Sequence, residues 1–288
     1  MTEQMVASSG VHLLVRSSGN LAGPTVVLVH GFPDTQAVWD LVIPILEAHF
    51  HVVTYDVRGA GGSSAPDTRE GYRMNRLIDD LVAVIERVQP DGGPVHLVGH
   101  DWGSAQLWGA VMREGTDQRL AGRIASYTSI ACPGLDLFGS FFTSGLRNRE
   151  AGKIARQVAH SWYIAFFQLP FLPELAFRRF GSRISSRLAR KQNFRGPSHW
   201  AETFGDDGAN GINLYRANGF EFTHGTTKVP VQLIVPTKDD FLTPAVYTNV
   251  ADFAPTVRRI DIVAGHWVIR THPEIIADKV MAFIRENI

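Results

Sequence analysis

The sequence predicts an α/β protein with a mostly parallel central sheet and an all-helical stretch inserted late in the chain. Three observations carry that prediction. Runs such as Val26-Val27-Leu28-Val29 are apolar without alternation, which suits strands covered on both faces of a parallel sheet. Helical periodicity falls between such runs: in Asn75–Val88, the residues Leu77, Ile78, Leu81, Val82, Ile85 and Val88 recur at three-to-four spacing. From about Gly134 to about Thr223 no strand candidate occurs, and the composition turns to Phe, Trp, Arg and Leu.

The strand candidates, in order, are Val11–Arg16, Val26–Val29, His51–Tyr55, Val95–Val98, Arg123–Ile130, Val231–Val235 and Arg258–Val263. Strand–helix alternation implies right-handed crossovers and a doubly wound sheet. The helical stretch then falls between two strands and is expected to lie over the sheet's C-terminal edge, where α/β sheets hold ligands. The expected organisation is a core of residues 1–133 and 224–288 with a helical lid at 134–223.

Composition narrows the function classes. Hydrophobic residues are 44% and charged residues 19% of the 288, which excludes disorder as the main state. Lys+Arg and Asp+Glu both number 28, an even balance that argues against a protein made to neutralise nucleic-acid phosphates. The single cysteine, Cys132, excludes an internal disulfide and a cysteine-rich zinc site. The start, MTEQMVASSG, has no basic segment followed by an apolar one, so no signal peptide is expected. With no apolar run near the ~18 residues of a membrane span, a soluble, reduced, cytoplasmic protein is expected.

The chemistry concentrates at one turn. Val95–His100 reads as a strand entering Gly99-His100-Asp101-Trp102-Gly103, with a helix from near Ser104. A sharp strand-to-helix turn needs small flanking residues, which Gly99 and Gly103 supply, and it thrusts its central residue out above the sheet. That residue is Asp101, in the position of a nucleophile elbow's serine. Taken alone, Asp101 would serve equally well as a helix N-cap. The neighbouring pieces favour chemistry. The loop His30-Gly31-Phe32-Pro33 follows an early strand, so Phe32 N–H and Trp102 N–H are candidates for an oxyanion hole. Asp239 and Asp240 follow a late strand, and His266 follows the last one, in the chain order nucleophile, acid, histidine.

These segments resemble the soluble bacterial epoxide hydrolases of the α/β-hydrolase fold. The matching pieces are HGFPD at His30–Asp34, DVRGAGGSSAP at Asp56–Pro66, VGHDWGS at Val98–Ser104, KDDFLTP at Lys238–Pro244, GHW at Gly265–Trp267 and HPE at His272–Glu274. The chain is also similar to the hydrolase part of actinobacterial fusions that continue into a short-chain dehydrogenase domain. The resemblance implies Asp101 as nucleophile, His266 as base and Asp240 as its orienting acid, with Asp239 the alternative. It implies two lid tyrosines that hold the epoxide oxygen. Tyr163 opens a Y-x-x-x-F-Q-x-P segment, and Tyr215 sits in Asn213-Leu214-Tyr215-Arg216, where the family usually has Trp at the position of Leu214. Haloalkane dehalogenases share the Asp elbow but lack this tyrosine pair and often carry Asn where Phe32 stands.

The expected reaction is hydrolysis of an epoxide to a vicinal diol through an aspartyl ester, with no cofactor and no metal. Aromatic residues in Trp162–Phe177 predict an apolar pocket and a lipophilic epoxide, with Trp102, Phe32, Phe166, Phe167 and Trp267 as substrate contacts. Expected partners are that epoxide and water, with no nucleic acid and no stable membrane insertion; a homodimer is compatible. Haloalkane dehalogenase, or a non-catalytic receptor of the same fold, stands as the alternative.

Three further features receive other readings. Gly59-Ala60-Gly61-Gly62 lacks the Lys-Ser/Thr of a phosphate loop. His30 and His100 read as local hydrogen-bonding groups rather than zinc ligands. Arg178, Arg179, Arg183, Arg187, Arg190, Lys191 and Arg195 make a basic run without an acid, read as a solvated lid face or as a surface for anionic lipid or a partner protein.

Overall fold

The computed structural model describes residues 1–194, 198–219 and 225–288. The lid boundary expected at 223/224, and Arg195 of the basic run, lie outside the described residues. Eight strands form one sheet in the order β1-β2-β4-β3-β5-β6-β7-β8. These are β1 (Thr2–Ser8), β2 (Val11–Gly19), β3 (Thr25–Val29), β4 (His51–Tyr55), β5 (Val95–His100), β6 (Ile124–Ile130), β7 (Val231–Pro236) and β8 (Val257–Ile262). β2 runs antiparallel to β1 and β4, and every pairing from β4 to β8 is parallel.

Val26 and Leu28 pack into one core cluster while Val27 and Val29 pack into the other, all fully buried. A parallel strand with helices on both sides has no face for a polar residue, which is why the run lacks alternation. One side is covered by α2 (Met74–Val88) and α3 (Trp102–Val111), through Leu77, Leu81 and Leu107. The other is covered by α1 (Ile43–Leu46) and α10 (Pro273–Arg285), through Leu46, Ile276 and Val280. α9 (Val268–Thr271) adds Ile269 to that second core.

Between β6 and β7 lie α4 (Leu135–Arg147), α5 (Ala151–His160), α6 (Trp162–Phe167), α7 (Leu172–Lys191) and α8 (Phe204–Ala217). Among the described residues this stretch holds no strand, as its composition predicted. α4, α6, α7 and α8 all contribute walls to the cavities above Asp101.

Two differences from the sequence reading have physical causes. β1 was not expected, because an edge strand buries only part of itself: Val6 and Ser8 are buried and the remainder is largely exposed. Its hairpin turn, Ser9-Gly10, has φ of +38° and +85°, the paired positive values of a tight two-residue hairpin. The helix after the elbow starts at Trp102 rather than near Ser104, so it begins directly after the nucleophile candidate.

Candidate active site

Asp101 joins β5 to α3 with φ +52° and ψ −125°, outside the regions a side-chain-bearing residue ordinarily occupies. The surroundings hold it there: its N–H donates to the Ile130 carbonyl at 3.1 Å, and its own carbonyl accepts from Ala105 N–H at 3.0 Å. The two flanking close approaches demand glycine. A Cβ on Gly31 would collide with the Asp101 side chain, and one on Gly103 would meet the Val29 and His30 carbonyl oxygens. The Asp101 side chain makes no helix-capping bond. Instead, Oδ1 accepts from Phe32 N–H at 2.8 Å, and Oδ2 faces His266 Nε2 at 3.4 Å.

His266 lies in the turn after β8. Its Nδ1 lies 2.7 Å from Asp239 Oδ2. The expectation that Asp240 orients the histidine is therefore corrected to Asp239. The cause is local backbone geometry. The Thr237 and Lys238 N–H groups bond to the Ile262 and Ala264 carbonyls, carrying the end of β7 alongside the β8 loop. Asp239 Oδ1 then accepts from Phe241 N–H at 2.7 Å and Leu242 N–H at 3.1 Å, which locks its other oxygen on His266. Asp240 turns the opposite way, to Gln192 Nε2 at 3.0 Å and Lys191 Nζ at 3.2 Å. Spacing from Phe241 and Pro244 cannot distinguish two adjacent carboxylates that face opposite sides of a turn.

The charges follow this geometry. Burial alone would lower the His266 pKa, but the Asp239 and Asp101 carboxylates overcome it and push it up to about 10. Burial would raise the Asp101 carboxyl; the contact with His266, that ring's charge, His100 and Phe32 N–H together hold it below its usual value. The resting pair is an imidazolium beside a carboxylate. Burial, aided by the Asp101 charge, pushes the Tyr163 hydroxyl well above its usual value. Burial, Tyr163 and Asp101 do the same to Tyr215. Both phenols keep their protons.

Two cavities meet at Asp101, Tyr163 and Tyr215. The larger, about 570 Å³, is walled by Trp102, Leu135, Phe138, Phe142, Ile164 and Leu242. The smaller, about 240 Å³, is walled by Phe32, Trp162, Phe166, Phe167, Phe177, Phe241 and Trp267, with Ile184 and Leu188 closing it. All five residues expected as substrate contacts therefore line one cavity or the other. Sequence reasoning missed the whole α4 wall, because Leu135, Phe138 and Phe142 carry only an amphipathic pattern indistinguishable from core packing. Of the aromatic stretch, Leu169, Phe171, Leu172 and Leu175 point to solvent rather than into a cavity.

Asp34 was also missed as an organiser. It is buried, with Oδ1 accepting from His199 Nε2 at 2.7 Å and Trp200 Nε1 at 2.6 Å, and Oδ2 accepting from Trp267 Nε1 at 2.8 Å. It thus joins the loop after β3, the segment between α7 and α8, and the residue next to His266. Burial would raise its carboxyl, but His199, His100 and Trp267 bring it down to about 2. The last residue of HGFPD was the available signal. His30 Nε2 accepts from Val57 N–H at 2.8 Å, and His100 Nε2 lies 3.0 Å from the His266 carbonyl, so both histidines make local bonds. Among the described residues no group of three His, Cys, Asp or Glu side chains is placed to hold a metal ion.

A model of the alpha/beta hydrolase fold matches residues 24–273. The chain is 36% identical over 300 residues to the probable oxidoreductase EphD of Mycobacterium tuberculosis (strain ATCC 25618 / H37Rv), covering 98% of this chain and 49% of that protein. It is 32% identical over 188 residues to epoxide hydrolase A of the same strain, covering 65% of this chain and 54% of that protein. The chain thus spans about half the length of these curated relatives. Among solved structures, the Bacillus megaterium epoxide hydrolase in complex with an inhibitor superimposes with a TM-score of 0.81 at 21% identity, covering 98% of this chain and 100% of that one. Epoxide hydrolase A from Mycobacterium thermoresistibile gives 0.76 at 24% identity, covering 99% and 98%. At these identities the likeness is one of fold.

Proposed function

The chain belongs to the alpha/beta hydrolase fold family, and from that premise we propose that it hydrolyses a lipophilic epoxide to a vicinal diol through an ester on Asp101. Residues 134–223 act as the lid over a core of 1–133 and 224–288. One observation carries the reading: two protonated phenols, the half-buried Tyr163 and the buried Tyr215, share an apolar cavity with an elbow carboxylate. The names of the epoxide hydrolases among its relatives and fold neighbours support the same choice.

An epoxide carbon is saturated, so the ring opens by backside displacement. An ionised carboxylate needs no base for this. Phe32 N–H occupies Oδ1, which leaves Oδ2 as the attacking atom. Oδ2 forms a bond to carbon, the ring C–O bond breaks, and a tyrosine hydroxyl gives its proton to the departing oxygen. Oδ1 then becomes the ester carbonyl oxygen, already in place at Phe32 N–H.

Ester formation removes the negative charge of Asp101. One of the two carboxylates that raise the His266 pKa is lost, so the imidazolium releases its proton and replaces the one the tyrosine donated. Neutral His266, held by Asp239, next takes a proton from water, whose oxygen adds to the ester carbon. Phe32 N–H and Trp102 N–H hold the oxyanion, and one such donor is typically worth about 3 kcal/mol of barrier. The diol oxygen leaves with the proton from His266, and the carboxylic acid formed on Asp101 passes the second water proton to the neutral imidazole, which restores the starting ion pair.

The test is a single turnover in heavy-oxygen water with enzyme in excess. Label should appear in Asp101 and be absent from the first diol. Halide release from haloalkanes with inert epoxides would select the dehalogenase reading instead.

A further inference from the structure

We propose that the outer face of α6–α7 docks reversibly on an anionic lipid bilayer. Two features with no role in the site converge there. The first is an apolar tip. Leu169, Phe171, Leu172 and Leu175 are exposed between α6 and the first turns of α7, and Phe171 is 82% accessible. Phe171 has φ +62° and ψ −33°, a strained conformation for a bulky residue. The backbone is thus bent so as to present an aromatic ring to solvent.

The second feature is charge. At about 100° per residue, Arg179, Arg183 and Arg190 share the face of α7 that carries Leu172 and Leu175, opposite buried Phe177 and Gly181. The Arg179 and Arg183 guanidinium groups lie 5.6 Å and 5.9 Å from the ring centre of Phe180, which is itself exposed. Arg178 pairs with Asp206 and Lys191 with Asp240; among the described residues no carboxylate lies within 4 Å of Arg179, Arg183 or Arg187. In a chain of zero formal charge this is a local positive field. A cationic flank around an apolar tip combines the two weak signals that together hold a protein on a membrane surface.

The geometry favours a bilayer over other occupants. A two-fold contact between copies would set one arginine face against another. An acidic protein would satisfy the arginines but leave the apolar tip unexplained. The inner faces of the same helices wall the smaller cavity through Phe166, Phe177, Ile184 and Leu188. One layer of helix therefore separates the docking face from Asp101, a short path for a ligand dissolved among acyl chains. Docking itself does not depend on the reaction proposed above.

The experiment is flotation of the whole chain with vesicles of phosphatidylcholine alone, or of equimolar phosphatidylcholine and phosphatidylglycerol, at low salt. The protein should float only with the anionic vesicles. Changing Arg179→Glu, Arg183→Glu and Arg187→Glu together should weaken binding by on the order of 100-fold or more, since each basic residue near such a surface is worth about fivefold. Changing Phe171→Asn, Leu172→Ser and Leu175→Ser together should weaken it by roughly tenfold through lost apolar burial. Thermal unfolding of both variants at the parent's midpoint shows that they are folded. Absence of binding by the folded parent to either vesicle overturns the proposal. Parent-like binding by the apolar variant also overturns it, and points to a surface that reads charge alone. A dimer in sedimentation that the apolar variant loses, without vesicle binding, reassigns the face to self-association.

Discussion

His266 Nδ1 sits 2.7 Å from Asp239 Oδ2, and its other nitrogen faces Asp101 Oδ2 at 3.4 Å. One ring thus spans two carboxylates with different fates in the proposed cycle: Asp239 keeps its charge throughout, whereas Asp101 loses it on alkylation.

The adjacent aspartates separate cleanly by mutation. Asp239→Asn should slow ester hydrolysis by roughly 100- to 10,000-fold, because the imidazole loses its orienting charge. Alkylated enzyme should then accumulate, visible as added mass on the intact protein. Asp240→Asn should change turnover by no more than about threefold, since surface pairs of this kind contribute little. Steady-state rates of the two variants decide between them.

The His266 pKa should follow the charge on Asp101. In the resting protein it stands at about 10, so the ring is protonated at neutral pH. Asp101→Asn should lower it, as should alkylation, and a nuclear magnetic resonance titration of the ring reads both. An unchanged value would falsify the coupling. Because the folded value exceeds the unfolded one near 6.5, this histidine contributes stability that is full below pH ~6.5 and is lost as pH rises toward about 10.

In the proposed cycle the tyrosines act on ring opening, not on ester hydrolysis. Tyr163→Phe or Tyr215→Phe should each slow the alkylation burst by roughly 100-fold, within the range for a positioned acid. The double variant should show no burst. Rapid-quench measurement of the covalent species reads this step directly.

Asp34 is a structural hub rather than a reactant. Asp34→Ala leaves the His199, Trp200 and Trp267 donors without their acceptor, at a cost of about 3–5 kcal/mol in denaturant unfolding. Its folded pKa of about 2 lies below the usual 3.8. Its contribution is therefore present above that usual value and fades as pH falls toward about 2. A parent-like unfolding midpoint for the variant would refute this role.

Seven of the eight strands, the long helix α2, the strand-to-helix turn at Asp101 and the placement of Tyr163 and Tyr215 beside it were legible in the sequence. Each leaves a local mark: an unbroken apolar run, a helical period, glycines pinned around one residue, or a motif segment. What escaped depends on direction rather than on pattern. Asp239 and Asp240 have the same chemistry one residue apart, and only the hydrogen bonds of their turn decide which faces the histidine. The α4 wall looks like any amphipathic helix until the cavity opens beside it. Asp34 gains its role from partners 165, 166 and 233 residues away, beyond the reach of spacing arguments.

The contact between Gly31 and the Asp101 side chain divides the site into a frozen half and an adaptable half. Any larger residue at 31 would meet the Asp101 side chain and displace it, so that side of the centre is expected to resist single substitutions. Leu135, Phe138 and Phe142, all on α4, line the larger cavity, which Gly31 does not line. Substitutions at those three residues are therefore expected to change which molecules fit the cavity while leaving the Asp101 side chain where it stands.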